Sequence, residues 1–274
     1  MTFAVLFLGA ALACPVVINA VVYLDRRKVL RGSCEGGDPL PWVIAVPAFL
    51  AECAASTSAF AARAFGAIGR LPAAGRDRKH LVVLVAGYGL HASSFWLLER
   101  RLRLLGWDTA SVSHRALHVP PDRAAGEIGE LILRIREASP HPVVTVLAFG
   151  CTGLLVRRWL RDQSNAIVQQ VITLGTPHQG TLGLLSRFPK FRFVHPSSSF
   201  LRDLAQQDSV PRRFDAIAIS SELDAWVVPN DAAYYPGAFN IAVRDVGHFT
   251  LLLSKRIAEL IAENLQTARS TQRK

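Results

Sequence analysis

A chain of 274 residues is long enough for one α/β domain of ordinary size and an additional segment. Half of its residues are hydrophobic and its mean hydropathy is positive, which points to a membrane element. The net charge of +10 comes without a nucleic-acid motif, so we expect an anionic lipid surface or plain solvation rather than nucleic acid as its counterpart. Neither a disulfide framework nor a zinc site is indicated by the spacing of the cysteines Cys14, Cys34, Cys53 and Cys151.

Residues 1–24 are predicted to form a transmembrane anchor. Thr2 to Tyr23 carries no charged side chain and is long enough to cross a bilayer as a helix. A cleaved signal peptide is the alternative, but no basic residue precedes the apolar run. The positive-inside tendency predicts a single-pass protein of the inner (cytoplasmic) membrane with its C-terminal domain in the cytoplasm, because four basic residues follow the span: Arg26, Arg27, Lys28 and Arg31.

Residues 25–79 are predicted to form a basic linker and an amphipathic, interfacial helix. The apolar run from Pro41 to Leu50 is interrupted by Pro47 and followed by Glu52, so it is too short and too mixed for a second span. We expect a helix that lies on the membrane or packs on the globular domain. Leu71 to Arg78 has the small and basic residues of a linker.

Residues 80–274 are predicted to form an α/β domain in which strands and helices alternate. Leu81 to Ala86 is a continuous apolar run, as expected of a parallel strand that is buried on both faces. Such alternation is typical of a mostly parallel sheet with helices on both faces. Further strands are predicted at Asp108–Ser113, from Val143 onward, at Val168–Leu174, at Phe214–Ser220 and at Phe239–Val243.

The helices between these strands are predicted from apolar residues at helical spacing. Ser93 or Ser94 is a candidate N-cap of the first helix, and Asp122 is a candidate N-cap of the next. Residues 181–210 are less regular and form a candidate cap or lid over the domain. Phe249 to Leu265 is predicted to be an amphipathic closing helix.

Four motifs in chain order resemble one known family. Residues 86–89 (Ala-Gly-Tyr-Gly) form a glycine loop after the first strand, and residues 153–161 open a helix after a sharp turn. Residues 174–181 (Leu-Gly-Thr-Pro-His-Gln-Gly-Thr) are the most specific match, and the loops at 221–229 and 246–249 follow late strands. Together they resemble α/β-hydrolases of the bacterial lipase/esterase type, with Ala86 in place of the family's loop histidine. The resemblance covers Leu81 to the C-terminus and implies the α/β-hydrolase fold.

The resemblance also implies roles for individual residues. His248 corresponds to the catalytic base and Asp224 to the acid that orients it. Backbone N–H groups of Tyr88 and of the residue after the nucleophile correspond to the oxyanion hole. His178 and Gln179, in the lipase-like loop, are expected to be structural.

The nucleophile elbow of the family, G-x-S-x-G, is degenerate in this chain. In one register Gly150 stands in the place of the missing serine and Cys151 follows it, so Cys151 would supply the second oxyanion N–H. Shifting by one residue makes Cys151 the nucleophile, but bulky Phe149 then stands where the tight turn requires a small residue. We favour the Gly150 register, in which Ala148 and Thr152 replace the two elbow glycines.

Three functions remain open from the sequence. The first is a membrane-anchored, lipase-like pseudoenzyme that binds an acyl or lipid ligand or a protein partner. The second is an active carboxylic-ester hydrolase that uses Cys151, His248 and Asp224. The third is a structural, membrane-associated protein. No cofactor and no metal ion are expected for any of them.

Overall fold

The computed structural model of this chain describes residues 2–32, 42–62, 79–161, 167–206 and 214–271. Within these ranges the chain folds into a sheet with helices on both faces. The strands are β1 (Lys79–Val85), β2 (Trp107–Val112), β3 (Val144–Phe149), β4 (Val168–Leu174), β5 (Asp215–Ser221) and β6 (Phe239–Val243). The helices are α1 (Thr2–Gly32), α2 (Trp42–Ala61), α3 (Trp96–Leu104), α4 (Pro121–Glu137), α5 (Thr152–Arg161), α6 (Ser199–Ala205), α7 (Thr250–Leu253) and α8 (Lys255–Thr271).

The strands of the described sheet run in the order β2-β1-β3-β4-β5-β6, and every neighbouring pair is parallel. The predicted parallel sheet is therefore confirmed. Because all strands point the same way, the loops that follow their carboxyl ends gather at one edge of the sheet. These loops carry the predicted functional residues Tyr88, Gly150, Cys151, Asp224 and His248.

Consecutive residues of β1 pack on opposite faces of the sheet, which explains its unbroken apolar sequence. Val82 and Leu84 belong to a core formed with α2, α3, α7 and α8. Leu81 and Val83 belong to a second core formed with α4, α5 and α6. All four side chains are fully buried, and burying a side chain of this size is worth about 1.5–3 kcal/mol.

Two predicted helix caps are wrong. Ser93 and Ser94 lie inside a 3-10 turn (Ala92–Phe95) that His91 caps, and α3 begins only at Trp96. Asp122 lies inside the first turn of α4, where it accepts a hydrogen bond from Arg158 (2.7 Å). Helix α4 begins at Pro121, because a proline at the first helical position loses no intrahelical hydrogen bond.

The closing helix and the candidate cap also differ from the prediction in detail. The closing helix is divided into α7 and α8 at Ser254, whose ψ of 131° is extended rather than helical. The described part of the candidate cap, residues 181–206, consists of two 3-10 turns (Leu184–Arg187 and Pro189–Val194) followed by α6. Short turns have no long apolar periodicity, so the sequence pattern there is irregular.

The segment predicted to cross a membrane is helical, and α1 extends past it to Gly32. Among the helices that the structure describes, none has the length and apolar character to span a bilayer. Helix α2 corresponds to the predicted interfacial helix, whereas the predicted linker Leu71–Arg78 lies outside the described residues.

Helices α1 and α2 pack on each other and on the α/β domain, and we refer to them as the helical pair. The buried Asn19 amide donates to Ser56 Oγ of α2 (2.8 Å). At the far end of α1, Asp25 accepts from Arg187 (2.7 Å), and Arg26 donates to the carbonyl of Glu222 (3.1 Å). The first of these hydrogen bonds joins α1 to α2. The other two hold the helical pair against the domain near the loop that carries Asp224.

Candidate functional site

A sharp turn at Gly150 and Cys151 joins β3 to α5. Gly150 has a φ of +59°, a conformation that glycine adopts at little cost. Its N–H donates to the carbonyl of Leu174 (2.8 Å), and its own carbonyl accepts from Thr176 Oγ1 (2.8 Å). A Cβ built on Gly150 lies 3.5 Å from His248 Nε2 and meets no other residue within 4 Å. The turn therefore directs position 150 at the imidazole.

Cys151 packs in the core on the α4–α5 face of the sheet, together with Leu154 and Leu155. Its side chain is buried, and burial raises the pKa of the thiol to about 12. A thiol with so high a pKa forms almost no thiolate at neutral pH, and the thiolate is the nucleophilic form of cysteine.

His248 and Asp224 form a buried acid–base pair. His248 Nδ1 lies 2.6 Å from Asp224 Oδ2. The other carboxylate oxygen, Oδ1, accepts the backbone N–H groups of Trp226 (2.7 Å) and Val227 (3.0 Å), which fix its orientation. Burial by itself lowers the pKa of His248, but the charge and hydrogen bond of Asp224, with a smaller effect of Glu52, outweigh it and raise the pKa above its ordinary value.

Gly175, at the end of β4, allows this pair to approach the sheet. Its φ is +56°, and a Cβ there would lie 2.9 Å from His248 Nδ1 and 3.2 Å from Asp224 Oδ2. Any larger residue would displace the imidazole. In the sequence Gly175 is part of the lipase-like loop, and the loop motif by itself does not indicate this role.

The glycine loop after β1 lies beside the elbow. A Cβ on Gly87 would lie 2.7 Å from the Phe149 ring, so this loop passes close to the residue that precedes Gly150. Tyr88 donates its hydroxyl proton to the carbonyl of Ala116 (2.6 Å). Among the turn and loop hydrogen bonds described for the backbone, none is donated by the N–H of Tyr88 or Cys151. The family resemblance implies an oxyanion role for these two donors.

Aromatic rings surround the imidazole. The ring centroids of Phe149, Phe249 and Trp226 lie 4.7, 5.4 and 6.1 Å from that of His248. Tyr88 also borders a surface cavity of about 390 Å³, which neither His248 nor Gly150 lines. This cavity is lined mainly by apolar residues, among them Leu117, Val119, Pro121, Pro189 and Phe193.

Two residues near the site were not identified from the sequence. His114 Nε2 lies 2.8 Å from the carbonyl of Ala86 and 3.0 Å from Thr152 Oγ1, so it connects the glycine loop to the start of α5. Glu52 contacts the loop of His248. In the sequence this residue only interrupts an apolar run. No local pattern signals either contact, because each joins segments that are far apart in the chain.

His178, another residue of the lipase-like loop, contacts β4 and an aromatic ring. His178 Nε2 lies 2.9 Å from Thr173 Oγ1, and its ring stacks on Tyr235 with centroids 4.1 Å apart. Among the described residues there is no cluster of histidine, cysteine and acidic side chains that could hold a metal ion.

Comparison with known proteins supports the fold. No family model matches the sequence, and no curated protein sequence is similar to it. Solved structures are similar: Aspergillus fumigatus lipase B has a TM-score of 0.62 at 18% identity, over 78% of this chain and 57% of that one. The chain therefore spans little more than half the length of that lipase.

Two further structures match over most of their own length. Bacillus licheniformis lipase BlEst2 in its mature form has a TM-score of 0.55 at 15% identity, over 70% of this chain and 93% of that one. An esterase from Exiguobacterium antarcticum has a TM-score of 0.51 at 14% identity, over 73% and 93% of the two chains. Likeness at this level of identity shows the fold, and the predicted α/β-hydrolase fold is confirmed.

Proposed function

We propose that this protein is a membrane-associated member of the α/β-hydrolase fold that binds an acyl or lipid ligand and forms no acyl-enzyme. One observation carries the proposal. Position 150 faces the imidazole of His248, because a Cβ built there would lie 3.5 Å from Nε2. A glycine, however, has no side-chain atom that could attack an ester. Loss of the nucleophile from such a triad costs on the order of a million-fold in turnover.

The groups that remain are suited to binding an oxygen atom of a ligand. His248 is held by Asp224 with Nε2 directed at the space beside Gly150. The family resemblance assigns the backbone N–H groups of Tyr88 and Cys151 to the oxyanion hole of this site. An imidazolium and backbone N–H groups are good donors to a carbonyl or carboxylate oxygen. The aromatic rings around His248 offer an apolar environment for the rest of an acyl group.

Membrane association is supported by the outer face of the helical pair. Val17, Val21 and Leu24 of α1 are exposed at a spacing that places them on one side of the helix. Exposed basic residues, Arg27, Lys28 and Arg31, follow in the next turns. Such an apolar face with adjoining positive charge is complementary to an anionic bilayer. Single-pass anchoring, with the C-terminal domain in the cytoplasm, stays a prediction.

Returning a serine to the elbow tests the proposal. We expect the wild-type protein to show no enzyme-like hydrolysis of p-nitrophenyl esters. We expect the Gly150→Ser variant to hydrolyse them at least about 100-fold faster than the wild-type protein. The space beside Gly150 accepts the new Cβ at ordinary contact distance from His248. The left-handed φ costs a non-glycine residue about 1–2 kcal/mol, so we also expect a small loss of stability.

The controls separate this proposal from the cysteine hydrolase. Gly150→Ala introduces the same backbone strain without a hydroxyl, and Gly150→Ser combined with His248→Ala removes the base. Both should be inactive. If the wild-type protein hydrolyses esters at enzyme-like rates and Cys151→Ala abolishes that activity, the proposal is wrong and the cysteine hydrolase is right.

A further inference from the structure

The carboxylate of Glu52, on α2, contacts the chain immediately after His248. Oε2 accepts the backbone N–H of Phe249 (2.9 Å), and Oε1 accepts both the backbone N–H (2.8 Å) and the hydroxyl (2.6 Å) of Thr250. Glu52 is 2% exposed although it belongs to a helix at the surface of the domain. All of these partners are donors, and accepting several such bonds favours the ionised form of a carboxylate.

Glu52 also contacts the chain immediately before His248. A Cβ built on Gly247 would lie 2.5 Å from the Glu52 side chain, so a glycine at that position allows the carboxylate to approach. The backbone on both sides of His248 is therefore in contact with one side chain of the helical pair. The backbone of His248 carries the imidazole ring. Because this contact fixes that backbone on both sides, it helps to determine where Nε2 points.

Two carboxylates thus flank a single imidazole. Asp224 contacts the ring directly at Nδ1, and Glu52 acts through its charge and through the neighbouring backbone. Burial raises the pKa of Glu52, whereas the Thr250 and Phe249 hydrogen bonds and the charge of His248 oppose that change. A buried carboxylate without these contacts would be costly, so its burial beside His248 is a specific arrangement.

We propose that Glu52 is a positioning residue for His248, which it serves by fixing residues 247–250 and by placing a second negative charge beside the imidazole. The helical pair thereby becomes part of the site in addition to presenting a face to solvent. This inference rests on the proposed function only in taking His248 as the functional group. It requires neither ester turnover nor a ligand.

Other titratable groups interact with Asp224 and Glu52. They are unchanged in all the variants that are compared below. Tyr23 and Arg26 of α1 and Cys151 of the elbow interact with Asp224, and Tyr23 also interacts with Glu52. Burial is the main cause of the raised pKa values of Tyr23 and Cys151, which keeps both groups neutral near pH 7. Burial lowers the pKa of His248, and the groups that oppose this effect are Asp224 and, to a smaller extent, Glu52.

The experiment measures the titration of the His248 ring by NMR in protein with ¹⁵N-labelled histidine. His248→Gln assigns the resonance. Glu52→Gln has nearly the same shape but no charge, and its amide keeps one acceptor oxygen while the other becomes an NH2 donor. We expect the titration midpoint of His248 to fall in Glu52→Gln relative to the wild-type protein, with a smaller change in Thr250→Val, which loses one hydrogen bond to Glu52.

The matched control is Glu259→Gln, which removes an equal charge from an exposed position on α8 and should leave the midpoint unchanged. An unchanged His248 midpoint in a folded Glu52→Gln variant overturns the proposal. If Glu52→Gln does not fold, the Thr250→Val variant decides, and an unchanged midpoint there also overturns it. Failure of the Gly150→Ser variant to hydrolyse esters would leave this result unaffected, so the two proposals are tested separately.

Discussion

Glycines at two turns bring the backbone close to the imidazole of His248. Gly150 and Gly175 both have left-handed φ angles, and each lies at the carboxyl end of a strand. At Gly150 a side chain has space beside His248, whereas at Gly175 a Cβ would lie within 3.0 Å of the imidazole ring. The two positions therefore differ in what a substitution would do, although both are glycine.

Gly175→Ala should be destabilising and should displace His248. The unfavourable φ alone costs about 1–2 kcal/mol, and the contact with His248 adds to it. Urea denaturation measures the change in the free energy of unfolding. Gly126→Ala is the control, because Gly126 lies on α4 with no atom within 4 Å of a built Cβ, and it should stabilise the protein by up to about 1 kcal/mol. Equal stabilities of the two variants would contradict this account of Gly175.

At the scale of elements, the helical pair has two faces with different roles. Its inner face carries Glu52 and the buried Asn19–Ser56 hydrogen bond. Its outer face exposes aliphatic side chains, with Leu24 at 66% and Val17 at 59% exposure. Exposed aliphatic residues scattered singly are common on proteins, but a row of them along one helix beside basic residues is typical of an interfacial helix.

Val21→Asp should weaken binding to vesicles that contain anionic lipid. The substitution places a charge in the middle of the outer face and removes a valine side chain whose transfer into lipid is favourable, so we expect about a tenfold loss of affinity. Co-sedimentation with phosphatidylserine-containing vesicles measures it. Leu104→Asp, at an exposed leucine on α3, is the matched control and should bind as the wild-type protein does. Equal binding by both variants would exclude the outer face as the lipid-contacting surface.

At the scale of the whole molecule, the parallel sheet gathers loops that are distant in sequence. Tyr88, Gly150, Asp224 and His248 follow different strands, yet they meet at one edge because every strand ends there. The same sheet architecture serves many activities, so the fold alone does not determine whether this site binds or reacts. A measurement on the intact protein is needed to distinguish a binding module from a structural protein.

Ligand-dependent stabilisation provides that measurement. Dodecanoate should raise the Tm of the wild-type protein, because a ligand at 100 times its Kd stabilises the folded state by about 2.7 kcal/mol, or roughly 5–10 °C for a domain of this size. His248→Ala should lose the effect, whereas His195→Ala, on a different loop, should keep it. Absence of any rise in the wild-type protein would favour the structural alternative over an acyl-binding site.

Local sequence determined the parts of this protein that depend on local physical chemistry. The apolar run of β1 predicts a strand because a strand buried on both faces needs apolar residues on both. The order of Asp224 and His248 after late strands, together with the lipase-like loop, carries the family resemblance from which their roles are predicted, and in the structure the two side chains lie 2.6 Å apart. The helix starts at Trp96 and Pro121 were missed because neither helix has a capping side chain: Phe95 and Pro120, at the N-cap positions, make no side-chain cap hydrogen bond.

Only the tertiary structure decided which residue of the elbow faces the imidazole, because a shift of one residue in the turn changes the direction of the side chain without changing the pattern of residue types. It also decided the role of Glu52, whose partner Phe249 is 197 positions further along the chain. A glutamate within an apolar helix indicates an exposed or unfavourable position when considered alone. Its burial is favourable only because the backbone N–H groups after His248 meet it, and that contact exists only in the folded chain.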